Sequence, residues 1–146
     1  MQPKTFSRGT SLKDAWRACG VTVAAPLNPP WAARAEDDVI VLSLWRDMPY
    51  AGSDIRWTGR NAATVRIRGL TEEISPARQA KLRQFNELLV AALREPVRVL
   101  VLNWRRDETG RFVEDQHGAA VPVEVFEGTA SAVDDPRYLE VKAVEP

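Results

Sequence analysis

The sequence predicts an α+β fold: a small mixed, mostly antiparallel sheet or partly closed barrel of five to seven strands, with one long helix and one short N-terminal helix. Three observations lead there. Residues 76–94 repeat apolar side chains at helical spacing, with Leu82, Phe85, Leu89, Ala92 and Leu93 on one face. Two short runs, Val39–Trp45 and Val97–Trp104, are nearly all apolar, as strands buried on both faces are. Others, such as Thr64–Arg68, Val121–Phe126 and Tyr138–Val144, alternate polar and apolar residues, the period of a half-buried strand.

Taken in order, residues 1–10 read as a flexible polar tail, and 11–146 as a single globular domain. Ser11 and Asp14 mark a helix start, and Gly20 ends a short helix from Leu12 to Cys19. Trp31–Arg34 and Val39–Trp45 flank the acidic turn Glu36-Asp37-Asp38 as a β-hairpin. Residues 46–62, with Pro49, Gly52 and Gly59, read as one long loop, a feature more often functional than idle. Thr64–Arg68 follows as a strand with Arg66 and Arg68 outward. Ser75 is placed to cap the long helix and Pro76 to fill its first turn, and Pro96 stops it. The stretches Val41–Asp47 and Leu100–Asp107 echo each other, each an apolar strand ending in Trp, Arg and Asp. Two copies make no repeat protein, but they fit two strands of one sheet whose ends share a rim.

Composition narrows the function. The chain has 146 residues, 45% hydrophobic and 27% charged, which suits one folded domain and excludes a disordered or fibrous chain. Twenty bases balance twenty acids, yet residues 1–113 carry a surplus of six bases and residues 114–146 a surplus of six acids. The neutral total argues against a protein that coats nucleic acid indiscriminately, while the asymmetry allows a basic binding face. Cys19 and His117 are the only cysteine and histidine, too few for a zinc site or an intrachain disulfide. The N-terminus lacks the apolar core of a secretory signal, and no apolar run approaches the roughly 20 residues that span a bilayer. The expectation is a cytoplasmic protein with no membrane contact and no cofactor.

Arg56–Arg68 is the richest segment: four arginines (Arg56, Arg60, Arg66, Arg68), Trp57 and no acid. Arginine forks bind phosphate oxygens bidentately, and an indole offers a stacking face for a base. Trp45, Trp104 and Arg105 extend that surface if they share its rim. Near the C-terminus, Asp134, Asp135, Glu140 and Lys142 have the letters of a PD-(D/E)xK nuclease site, although the Asp–Glu interval is short. Alternating charges on an outward strand face give the same letters. Cys19 with His117 is the remaining nucleophilic pair, and no phosphate-binding loop or dinucleotide fingerprint occurs.

The order hairpin, loop, helix, strand, hairpin over residues 20–146, with tryptophans at strand ends, resembles the PUA-like β-barrel superfamily of ASCH, EVE and SRA-type domains. The resemblance implies a binder of RNA or of modified DNA bases, with Trp31, Trp45, Trp57 and Trp104 lining a pocket at the barrel mouth. The leading expectation is therefore a non-catalytic nucleic-acid-binding module, a reader of a modified or flipped base being one form of it. Trp57 or Trp45 would stack, and Arg56, Arg60, Arg66 and Arg68 would take phosphates of DNA or RNA. The alternative is a protein-interaction or homodimerising domain, and the third a metal-dependent nuclease.

Overall fold

A computed structural model describes residues 4–24, 29–49, 54–67, 75–114 and 118–144. Among these residues the architecture is α+β, with two helices and an open, mixed sheet of eight strands. The strands are β1 (Lys4–Thr5), β2 (Ala32–Arg34), β3 (Ile40–Asp47), β4 (Ile55–Gly59), β5 (Ala62–Arg66), β6 (Val97–Trp104), β7 (Ala120–Ala132) and β8 (Tyr138–Ala143); the helices are α1 (Leu12–Ala18) and α2 (Pro76–Ala91). Across the sheet the order is β2-β3-β6-β7-β8-β5-β4, and β1 adds to β7 beside β8.

The local signals act as their chemistry requires. The Ser11 hydroxyl accepts from the Asp14 backbone at 3.1 Å, starting α1. At its end Gly20 takes φ +91°, and Val21 and Gly20 donate to the Trp16 and Arg17 carbonyls, the paired bonds of a Schellman turn. Ser75 caps α2 through the Arg78 backbone, with Pro76 in the first turn. The helix stops at Ala91, three residues short of expectation, so Leu93 lies in the following turn and is exposed instead of on the apolar face.

β3 and β6 are parallel neighbours in the middle of the sheet, so the two echoing sequences lie side by side. Both are apolar on both faces because both faces are covered. Ile40, Leu42 and Leu44 with Val97, Val99 and Val101 face the layer that holds Phe85 and Leu89 of α2 and its C-cap Ala92. Val41, Leu100 and Leu102 face Ala15 and Trp16 of α1 and its C-cap Cys19. Each fully buried Leu or Val contributes roughly 1.5–3 kcal/mol through water exclusion.

Two expectations change. Residues 46–62 are not one loop: β3 runs on to Asp47, and β4 occupies Ile55–Gly59, a short alternating run whose order pairing with β5 secures. The C-terminal hairpin is also longer than Val121–Phe126 suggests, because β7 pairs with β6 along its first half and β8 along its second. Lys4–Thr5 of the polar N-terminus pairs with β7 as β1. The sheet curls until its edge strand β4 reaches the end of β3, where Trp57 Nε1 donates to the Trp45 carbonyl at 2.9 Å. No ladder joins these two strands, and the sheet stays open.

Candidate functional site

Three register shifts converge where β3 and β6 end. Arg46 is the extra residue between the Trp45 and Asp47 pairings; Val123 is extra on β7 beside Val101 and Leu102; Thr58 is extra on β4. Bulges re-aim side chains and are common beside binding sites. Here they turn Arg46 and Glu124 toward the same inner face, where Val101 lies opposite Glu124. Alternation from Val97, Val99 and Val101 brings Asn103 to that face too.

Glu124 is only 1% exposed, and its charge is met from three sides. Arg46 Nη2 donates to Oε1 at 2.9 Å, and Arg60 Nη2 lies 3.8 Å from Oε2. With its amide nitrogen turned inward, Asn61 donates to Oε1 and to the Arg60 carbonyl, each at 3.1 Å. Arg46 also donates to the Arg60 carbonyl, and its guanidinium sits 4.7 Å from the centre of the Trp57 ring. Among the described residues, the buried Arg46 Nε and Asn103 Oδ1 nevertheless find no hydrogen-bond partner. Buried polar atoms are nearly always satisfied, so a donor and an acceptor left open at the ends of adjacent strands call for an explanation.

The residues expected to form one surface divide between faces. Trp45 packs on the α1 side, with its ring centre 5.4 Å from that of Trp104, whose Nε1 donates to the Val113 carbonyl. Trp57 and Trp31 pack on the α2 side, so the four tryptophans do not line one cavity. Arg60 is exposed at the β4–β5 turn beside Trp57, and Arg105 is exposed just beyond Trp104. Arg106 pairs with Asp47 at 3.2 Å, tying the two strand ends together. Beyond them lies a shallow hollow of about 460 Å³ lined by Arg105, Arg106, Asp107, Glu108, Thr109 and Val113. The Thr109 hydroxyl and the Arg111 backbone hold the Asp107 carboxyl below its ordinary range. Arg56 and Arg66 lie on the other side of the β4–β5 hairpin, since Ile55, Trp57, Ala63 and Val65 take the inner positions. Arg68 falls outside the described residues, as does His117.

The other candidate chemistries gain no geometry. Burial pushes the Cys19 thiol up to about 11, so it stays protonated near neutral pH. Arg137 holds the Asp135 carboxyl at about 2, and Glu140 lies 4.0 Å from Lys142. Among the described residues no three His, Cys, Asp or Glu side chains gather as a metal cage requires.

Arg46, Asn61, Asn103 and Glu124 are the site residues that sequence reasoning missed. Glu124 carried no signal of burial, since the alternation of Val121–Phe126 reads as a strand with its acid facing outward. Comparison with protein-family models, curated proteins and solved structures gives no match.

Proposed function

We propose that this chain is a non-catalytic nucleic-acid-binding module whose strand-end cluster takes an unpaired base. The observation that carries the reading is the buried pair of open atoms, the Arg46 Nε–H donor and the Asn103 Oδ1 acceptor, at the ends of adjacent strands. A base edge offers the complement, a carbonyl beside an imino or amino group. The Trp57 ring supplies an aromatic wall, and Arg60 and Arg105 stand at the rim for phosphates. The resemblance to PUA-like domains points to the same ligand class. Arg46 keeps a quarter of its side chain exposed, beside the exposed Arg60.

Fluorescence anisotropy tests this with labelled single- and double-stranded DNA and RNA, with and without modified cytosines, at two salt concentrations. Preference for one strand type should survive about 150 mM salt, because plain phosphate attraction fades steeply there. Asn103→Ala should cost about 1–3 kcal/mol of discrimination between bases. Flat traces for every nucleic acid would overturn the reading. A second reading, self-association, draws on Val90 and Leu93, which leave 48% and 40% of their surface exposed at the end of α2. Light scattering that finds a dimer, dissociated by Leu93→Glu, would favour it.

A further inference from the structure

The outward face of β4, β5 and β8 is a different surface from the strand-end cluster. Along these strands Ile55, Trp57, Ala63, Val65, Leu139 and Val141 point into the α2-side core. Their neighbours therefore point out: Arg56 and Thr58, Thr64 and Arg66, then Tyr138, Glu140 and Lys142. The helices lie elsewhere, α2 on the inner face and α1 over β3, β6 and the first half of β7. Register sets the rows. Arg56 is opposite Thr64, which is opposite Glu140, and Arg66 is opposite Tyr138. Arg56 and Arg66 are thus diagonal neighbours, about 7–8 Å apart at the backbone.

The charges on this face are unequal. Glu140 is shared with Lys142 at 4.0 Å, and Asp135, at the edge, is taken by Arg137 at 2.7 Å. Among the described residues neither Arg56 nor Arg66 forms an ion pair within 4 Å, although Arg66 lies close enough to Asp135 to lower its carboxyl further. Tyr138 stands between Arg66 and the Arg137 guanidinium, which is 5.9 Å from the ring centre. Two open guanidinium groups beside a half-exposed phenol ring, on a face of small hydroxyl side chains, fit an extended phosphodiester chain with unstacked bases. A duplex would keep its bases stacked and leave the ring unused.

We infer that this face is a track for a single-stranded nucleic acid, with Arg56 and Arg66 taking successive phosphates and Tyr138 stacking on a base. The inference rests on the nucleic-acid reading above and adds a second surface to it. Arg60, at the β4–β5 turn, stands between the track and the strand-end cluster.

The test is anisotropy with labelled oligouridine and oligothymidine, each also as a duplex, over a salt series. Arg56→Ala with Arg66→Ala should weaken single-strand binding on the order of tenfold and lower the salt slope by about 1.4, whatever the base sequence. Tyr138→Ala should cost about five- to a hundredfold with the slope unchanged. Glu140→Gln should tighten binding a few-fold, a gain that misfolding cannot mimic. An unchanged affinity and slope in the double-arginine variant, or equal affinity for the duplex, would overturn the track. If Asn103→Ala changes base preference while the double-arginine variant binds normally, the cluster stands and the track falls. The reverse pattern keeps the track and removes the cluster, and a wild-type chain that binds no strand removes both.

Discussion

At Cys19 the surroundings set the chemistry of the thiol. It is fully buried at the C-terminal end of α1, and burial raises its pKa from 9.0 to about 11, against a smaller lowering effect of Arg98. The folded chain therefore holds this proton longer than the unfolded chain does. Its contribution is fully present below about pH 9 and is lost as the pH rises through about 11; it amounts to roughly 2–3 kcal/mol. Urea unfolding across that range should show the decline in the wild type and a flatter profile in Cys19→Ala. Equal declines in the two would remove the thiol as its cause. The arginines and tryptophans teach a related lesson. Their presence is plain in the sequence, but Arg56, Trp57 and Arg60 are close neighbours there and face three different surroundings in the fold: open face, inner core and turn.

Among the elements, β7 carries the sheet from one half to the other, and Gly128 is where it does so. That residue pairs with Val97 of β6 on one side and Ala143 of β8 on the other. A Cβ there would sit 2.8 Å from the Lys142 carbonyl oxygen, a backbone atom that yields only if strands part. Gly128→Ala should cost about 1–3 kcal/mol, read as a lower urea midpoint. A midpoint within error of wild type would mean the strands give way freely. Both helix starts, the end of α1 and β6 were legible because capping hydroxyls, an end-capping glycine and a first-turn proline act within a few residues, whereas α2 stops before the proline expected to end it. β4 was not, since its alternating run Ile55–Thr58 is only four residues long, ends in Gly59 and owes its order to β5.

For the molecule as a whole, the decisive contact is the one that holds the curl of the sheet. Glu124 on β7 joins Arg46 on β3 to Arg60 and Asn61 at the β4–β5 turn, with the Trp57–Trp45 hydrogen bond alongside. Removing one partner of such a buried pair strands the other charge, so Glu124→Gln should cost about 3 kcal/mol, the low end for buried pairs because Arg46 is partly exposed. Melting should fall on the order of 10 °C for a domain of this size. Hydrogen exchange should quicken first in β4 and β5. If β4 and β5 exchange no faster while the chain melts earlier, Glu124 stabilises the core without holding the curl.

Much was therefore readable without coordinates: the α+β class, the hairpin of β2 and β3, both capped helices, and the two apolar strands that would be central. Those features depend on periodicity and on chemistry a few residues apart, which any segment carries with it. The cluster of Arg46, Asn61, Asn103 and Glu124, and the division of the arginines between two faces, came from folding. They depend on bulges that shift register by one residue and on strands brought together across some eighty positions. A one-residue shift reverses which side of a sheet a side chain takes, and no local pattern records it.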